Sequence, residues 1–417
     1  MNNNHSESAL KYKNRLLAPR IESAVSRHPV VVLTGARQVG KSTLLTREKA
    51  FREWKYVTMD DYAALSLARR EPISLWISEK RIIIDEVQKT PSILSSIKEA
   101  VDRDRSLRFL LSGSANLLLM EKVSESLSGR AVYFNLFPMS YSEMESRPFH
   151  SILGSLLAGT FSIESLRKKD HAEDPCVLMA RGFMPALMEY GSPEGWLQWW
   201  EGYIATYLER DLRQLSQVDS LVEFRRVMEA LSLRSGQLVN QTGIARDVGI
   251  SQSSVYRYLT LLEVTCLLKR VPSFHRNRTS RLVKSPKYYF LDPALAAYLG
   301  GYFSADALRK SRELGGYFES LILLHILIQC DLMMPAARTF YWRTVSGREV
   351  DFVVEHGRSL LPIEVKYTSR PRIEDTAGLR HFMKEYPEAE TGVLIHTGAE
   401  AEYLGEKIVA IPWTKMI

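Results

Sequence analysis

Gly35-Ala36-Arg37-Gln38-Val39-Gly40-Lys41-Ser42-Thr43 follows directly on the apolar run Pro29-Val30-Val31-Val32-Leu33-Thr34. The run is β-branched and unbroken, the composition of a strand buried on both faces. Two glycines bracket four residues, and Lys41 and Ser42 follow at once. That spacing suits a loop whose successive backbone N–H groups wrap a phosphate chain, because side chains must be absent where backbone and ligand nearly touch. Lys41 then reaches the β- and γ-phosphates, and the Ser42 hydroxyl ligates Mg²⁺. Ser42 to Lys49 opens a helix whose N-terminal dipole faces the phosphates.

A second apolar run, Arg81-Ile82-Ile83-Ile84-Asp85-Glu86, ends in two adjacent carboxylates. With the phosphate loop it predicts an ATPase. Asp85 holds the Mg²⁺ shell, and Glu86, one residue past the strand, orients or deprotonates the attacking water. From Val30 to about Glu145, apolar runs at Tyr56–Met59, Arg81–Asp85, Leu107–Ser112 and Ala131–Phe137 alternate with helical stretches. The alternation predicts a parallel, helix-covered sheet. Ser114 or Asn116, after the Leu107–Ser112 run, is placed to sense the γ-phosphate. Arg130, in Ser128-Gly129-Arg130, is placed to meet phosphate charge in cis or across a subunit interface, which implies a homo-oligomer in the second case.

With 417 residues the chain exceeds a single hydrophobic core, and two to four domains are expected. Hydrophobic and charged fractions of 45% and 25% are those of a soluble globular protein. No apolar run approaches membrane-spanning length, and the polar start Met1-Asn2-Asn3-Asn4-His5 lacks the layout of a secretion signal. Cys176, Cys266 and Cys330 are few, odd in number and far apart, which excludes a disulfide framework and fits the reducing cytoplasm. A net charge of +7 weakly favours a polyanionic partner.

Five regions follow: a basic amphipathic helix over Leu10 to Arg27 within 1–29, the ATPase core at 30–145, a helical region at 146–222, a winged helix-turn-helix at 223–300 and an end domain at 301–417. In the helical region Trp196, Trp199, Trp200, Tyr203 and Tyr207 recur at helical spacing, a core-packing pattern. Phe224–Arg234, Gln241–Val248 and Ser251–Val264 read as three helices, with Ser251 capping the third. Short strands at Leu267–Val271 and Tyr288–Leu291 complete the winged layout. Between Glu263 and Asp292 there is no acidic residue, while Lys269, Arg270, Arg276, Arg278, Arg281, Lys284 and Lys287 all fall there. Such a run suits a DNA backbone; interdomain packing is the alternative.

Gly347 to Val354 and Leu360 to Lys366 read as two strands around a turn. If the turn closes a hairpin, Asp351 stands opposite Glu364, and Lys366 shares their face. Two carboxylates and a lysine then suit Mg²⁺ and water activation against a phosphodiester. Glu319, in a mostly apolar helix, is a further candidate ligand. An ordinary Asp–Lys–Glu network on a sheet face stays open as the other reading. Pro362 implies that its strand is an edge there or starts just after it.

The loop, I-I-I-D-E, L-S-G-S, S-L-S-G-R, Leu136 to Glu143, Arg210-Asp211, and E-V-D-F-V-V with I-E-V-K together resemble a group of bacterial and archaeal AAA-type, STAND-like ATPases. Its members carry a C-terminal domain of unknown function similar to the PD-(D/E)xK nucleases. The resemblance implies an α/β multidomain chain: a P-loop parallel-sheet core, a helical region, a winged helix and a restriction-endonuclease-like end domain. It implies that Glu319, Asp351, Glu364 and Lys366 match the nuclease set. Two positions depart from the pattern: Arg181-Gly182-Phe183-Met184-Pro185 replaces a double-glycine turn, and Ser114 replaces the usual Asn or Thr. The expected function is an ATPase coupled to DNA binding, with Mg²⁺-dependent cleavage by the end domain. The alternative is a STAND-type switch whose end domain only binds a partner.

Overall fold

The structure is a computed structural model that describes residues 12–113, 127–149, 151–167, 172–206, 220–277, 281 and 284–417. It divides into two compact units, one within residues 1–148 with 185–191, the other within 149–184 with 192–417. In the first, α1 (Ala18–Arg27) leads into β1 (Val30–Thr34). Then come α2 (Lys41–Arg47), β2 (Lys55–Thr58), α3 (Tyr62–Arg70), β3 (Arg81–Asp85), α4 (Ile93–Arg103), β4 (Arg108–Ser112) and β5 (Ala131–Asn135). The five strands form one parallel sheet in the order β2-β3-β4-β1-β5, as the alternating runs predict. Every residue of central β1 is buried, which is why its sequence is apolar without alternation. Val30, Val32, Ile82, Ile84 and Phe109 share one core with Ile93, Leu94 and Ile97 of α4. Because the strands are parallel, Thr34, Ser112 and Asp85 end at the same edge. The helix expected from Leu10 begins only at Ala18, because Pro19 is tolerated in a first turn and would break an interior.

The second unit carries α5 (Pro175–Arg181), α6 (Pro193–Tyr203), α7 (Leu221–Ser232), α8 (Gln241–Val248) and α9 (Gln252–Val264). Trp199, Trp200 and Tyr203 pack on one another, and Ser251 caps α9 by accepting from the Ser254 N–H at 3.1 Å. Next, β6 (Leu268–Val271) and β7 (Lys287–Phe290) form a two-stranded antiparallel sheet. α10 (Pro293–Leu299) and α11 (Leu314–Leu332) lead to β8 (Arg338–Arg343), β9 (Glu349–His356) and β10 (Ser359–Lys366). After α12 (Ala377–Glu385) come β11 (Gly392–His396), β12 (Glu402–Tyr403) and β13 (Ile408–Pro412). These six strands form a mixed sheet, β12-β13-β11-β10-β9-β8. The hairpin β9–β10 forms as expected, with Pro362 opposite Val353. β10 meets β11 only from Ile363 onward, so the proline stands where the strand has a neighbour on one side. α11 is apolar all round and buried along most of its length. Among the described residues no helix is long and apolar enough to cross a membrane.

Candidate nucleotide site and C-terminal carboxylate cluster

The phosphate-loop sequence sits at the C-terminal end of β1. A Cβ on Gly35 would stand 2.4 Å from the Leu136 carbonyl oxygen, so only glycine lets the chain after β5 pass this closely. Gly40, at φ 91°, caps α2 from the left-handed region without a side-chain hydrogen bond. The first N–H groups of α2 are thereby left for an anion. Lys41 is buried, and its Nζ donates to the carbonyls of Gly35 at 3.0 Å and Ala36 at 2.9 Å. Ala36 and Val39 are buried, Arg37 is half-buried, and Gln38, Ser42 and Thr43 are exposed.

Asp85 is 2% exposed at the end of β3. Its Oδ2 accepts from the Tyr56 hydroxyl at 2.6 Å, and its Oδ1 from the Glu86 N–H at 3.0 Å and the Ser112 hydroxyl. Tyr56 and Ser112 come from the flanking strands β2 and β4; sequence reading gave neither a role, although Ser112 lies in the L-S-G-S stretch. Glu86 adopts φ 54°, a left-handed conformation costing a non-glycine residue about 1–3 kcal/mol. Burial first, and Asp85 second, raise its carboxyl above the ordinary range, with Lys41 opposing. A raised carboxyl is a better acceptor for a proton of water. Ser42 and Asp85 supply the hard oxygen donors that fit a Mg²⁺ shell otherwise completed by water and phosphate.

A second missed pair braces the loop. Buried Arg15 donates to the carbonyls of Val39 and Phe137, both at 2.7 Å, and pairs with Glu143 at 3.2 Å. Glu143 also closes a capping box with Ser140. The Ser-x-x-Glu spacing in Leu136 to Glu143 signals that cap; nothing in it signals Arg15.

Arg130 stands elsewhere. Its carbonyl accepts from the Val30 N–H at 3.3 Å, which puts it at the N-terminal edge of the sheet, about 16 Å of strand away from the loop. Its guanidinium pairs with Asp102 at 2.6 and 2.9 Å, and it lines a cleft of about 490 Å³ with Arg27, Arg105 and Arg108. Phosphate contact in cis is therefore not made in this arrangement. Ser114, Asn116, Tyr207 and Arg210-Asp211 lie outside the described residues.

In the second unit, α11 supplies Glu319, β9 supplies Asp351, and β10 supplies Glu364 and Lys366. The register, with Ile363 opposite Phe352, puts Glu364 opposite Asp351 as the hairpin predicts. Lys366 Nζ pairs with Glu364 Oε1 at 2.7 Å, and the Val365 N–H donates to Asp351 Oδ2 at 2.9 Å. A residue that sequence placed in the wing also stands among them. The buried Lys287 ammonium of β7 bonds Glu349 and lies 3.7 Å from Asp351 Oδ1 and 3.9 Å from Glu319 Oε2. The Tyr289 hydroxyl donates to Glu319 Oε2 at 2.8 Å. Burial works against the Lys287 ammonium, but Glu319, Asp351 and Glu349 outweigh it and hold its pKa above the ordinary value. Burial and then Asp351 push Glu319 up to about 8 and Glu364 well up. Among the described residues no three His, Cys, Asp or Glu side chains are arranged to hold a metal ion. The charge of Glu319, Asp351 and Glu364, expected as joint Mg²⁺ ligands, is met in this arrangement by the ammonium groups of Lys287 and Lys366.

Part of the acid-free basic run is engaged inside its own unit. Arg281 is buried, bidentate to Glu355 at 3.1 and 3.0 Å, and lies over the rings of Phe274 and Phe340. Arg276 pairs with Glu388 at 2.9 Å. Phe274 packs on Phe340, Phe382 and Tyr386 in the core of the six-stranded sheet. The counter-charges of Arg276, Arg281 and Lys287 lie further along the chain. Lys284 is exposed, and Arg278 lies outside the described residues.

Residues 27–145 match the family model of an AAA domain. Residues 173–306 and 314–416 match two domains of unknown function, DUF8612 and DUF4143. An uncharacterized protein of Mycobacterium tuberculosis is 29% identical over 408 residues, 97% of this chain and 85% of that protein. One of Haemophilus influenzae is 20% identical over 384 residues, 86% of this chain and 87% of that protein. Among solved structures, a Walker-type ATPase of Pyrococcus abyssi covers 70% of this chain and 98% of that one, at 17% identity and a TM-score of 0.46. The AAA-domain match falls on the same segment as the loop, the acidic strand end and the parallel sheet, and it supports an AAA-type ATPase core.

Proposed function

We propose that the chain binds and hydrolyses ATP at Gly35 to Thr43, and that the second unit responds to the nucleotide cycle. The observation that carries the reading is the common edge of β1 and β3, where Lys41 rests on loop carbonyls beside Asp85 and a Glu86 turned out of its strand. On nucleotide binding, Lys41 exchanges neutral carbonyls for the β- and γ-phosphates. Mg²⁺, held through Ser42 and Asp85, neutralises phosphate charge when bound. Glu86 orients the attacking water, and Arg130 of a neighbouring copy completes the charge stabilisation. Lys41→Ala is expected to lose nucleotide binding, and Glu86→Gln to bind ATP without turning it over. Wild-type turnover in Glu86→Gln would strip Glu86 of this role.

For the second unit, α7–α9 followed by antiparallel β6–β7 supports a winged helix-turn-helix. The sequence α11–β8–β9–β10–α12–β11 supports a PD-(D/E)xK-like fold, and the five-region division of the chain remains our reading. DNA engagement coupled to hydrolysis is the first candidate output. The STAND-type switch gains from one observation: Arg281 and Lys287, two cations expected on a duplex, are buried against acids of their own unit. Incubation with linear, nicked and branched DNA, with ATP and Mg²⁺ each present or absent, separates the two. Stimulated turnover or cutting supports the first, and neither supports the switch.

A further inference from the structure

The C-terminal cluster carries an inference that does not depend on the ATPase reading. We propose that Lys287 is the built-in cation of this cluster: β7 lays its ammonium where the carboxylates would otherwise gather a divalent ion, so the docked strand keeps a latent cation site closed.

Three observations support this. First, Lys287 is within 4 Å of carboxylate oxygens on the helix α11 (Glu319) and on both the first and third residues of β9 (Glu349, Asp351), and its own strand's Tyr289 joins it there. Lys287 and Tyr289 are two apart on β7 and so share a face; both engage the cluster, one with charge and one with a hydrogen bond. Second, β7 is held in place independently of these contacts. It pairs with β6 along its length, and Leu238 bridges it at Lys287 on the other side. The lysine is thus delivered by a fixed strand rather than by a wandering side chain. Third, Glu364 is 7% exposed, yet its Oε2 finds no hydrogen-bond partner among the described residues, although Oε1 is taken by Lys366. A buried carboxylate oxygen with spare acceptor capacity is costly, and it is the feature a cation ligand would show.

Counting formal charge, the acids Glu319, Glu349, Asp351 and Glu364 face two ammonium groups, Lys287 and Lys366. Removing Lys287 leaves the four acids with two positive neighbours, Lys366 on Glu364 and Arg343 on Glu349, and a hard dication becomes the natural replacement, bound through carboxylate oxygens and water.

The test is Mn²⁺ titration of the full chain without nucleotide, followed by calorimetry and by water-proton relaxation. Wild type is expected to show no Mn²⁺ uptake that depends on Asp351. Lys287→Met is expected to gain a site at least about tenfold tighter than anything in wild type, and Lys287→Met with Asp351→Asn to lose it again. Asp351-dependent Mn²⁺ binding by wild type would overturn the proposal, because the site would then be open with Lys287 in place. So would a folded Lys287→Met that gains nothing. Should Lys287→Met fail to fold, the same comparison is made on Lys287→Met with Glu349→Gln, which removes one charge of each sign. A folded double variant without a new Mn²⁺ site overturns the proposal equally. The failure of ATP turnover in Lys41→Ala bears on none of these outcomes.

Discussion

Two buried lysines, each beside carboxylates at the end of a sheet, separate the two units. Lys41 of the first unit gives its protons to the neutral carbonyls of Gly35 and Ala36. Lys287 of the second gives its charge to Glu349, Asp351 and Glu319. A carbonyl is a weak competitor for a cation, so a phosphate displaces it readily. Three carboxylates are strong competitors, and an incoming ion must displace the ammonium itself. Lys41 waits for a ligand, whereas Lys287 takes a ligand's place.

The largest effects test that contrast directly. Lys41→Met is expected to cut ATP turnover by roughly a thousandfold or more. Without nucleotide its stability should change by about 1 kcal/mol, since its hydrogen bonds to Gly35 and Ala36 go to neutral carbonyls. Lys287→Met is expected to show the reverse: ATP turnover within about twofold of wild type, and a stability loss of about 3–5 kcal/mol from stranded buried acids. Denaturant titration and steady-state turnover of both variants suffice. A Lys41→Met protein that unfolds, or a Lys287→Met protein as stable as wild type, breaks the comparison.

Arg130 sharpens the first half of it. Because it lies at the sheet edge away from the loop and pairs with Asp102, its loss in one chain should leave that chain's own nucleotide affinity unchanged. Turnover should fall about a thousandfold if a neighbour relies on it. Mixed Arg130→Ala and Lys41→Ala chains then recover part of the activity. No recovery at any ratio, with turnover of Arg130→Ala already normal, reduces the residue to its ion pair.

How much of this was readable follows the distance between partners. The phosphate loop and the Asp351–Glu364 pairing are local: one is a contiguous motif, and the other follows from counting residues around a short turn. Glu86 was legible as a carboxylate after a strand but not as a left-handed residue, because its backbone is set by packing around it. Arg15 and Glu143 are 128 residues apart, and no periodicity connects them. The carboxylate partners of Lys287 were hidden for a related reason. An acid-free stretch looks like a phosphate-facing patch when the acids that pair with Arg276, Arg281 and Lys287 (Glu319, Glu349, Asp351, Glu355 and Glu388) come later in the chain. Net charge along a segment says nothing about charge across a fold.

A smaller effect comes from the buried helix of the second unit. His325 of α11 is 2% exposed; its Nδ1 is 2.8 Å from the Leu321 carbonyl, and its ring packs edge-on against Phe183. Burial lowers its pKa from 6.5 to about 4, the carbonyl opposing. The unfolded chain takes up this proton near pH 6.5 and the folded chain only near 4. The stabilisation is therefore complete above about pH 6.5 and lost as pH falls toward 4, on the order of 3 kcal/mol in all. His325→Gln should flatten that part of the stability–pH curve of the second unit. An unchanged slope would mean that other groups carry the acid response.

The smallest effect concerns the stretch between Glu263 and Asp292, where the two fates of a basic residue stand side by side. Arg281 is buried with Glu355 and two aromatic rings, while the side chain of Arg276 is 67% exposed and Lys284 is also exposed. Arg281→Ala strands Glu355, which among the described residues keeps only the largely exposed Arg338 as an ion-pair partner, so a loss of about 3 kcal/mol is expected, at the low end for a broken buried pair. Arg276→Ala with Lys284→Ala should leave stability essentially unchanged. If a duplex is gripped here, the cations on offer are the exposed ones, and every phosphate that goes unneutralised lowers the slope of log affinity against log salt by about 0.9. The double variant should then lower the slope by at most about 2, and sequence preference should not move, because phosphate contacts position without specifying. An unchanged slope in a folded double variant assigns the stretch to packing: it would then be a strap that ties β6 and β7 to the six-stranded sheet and keeps Lys287 at its post.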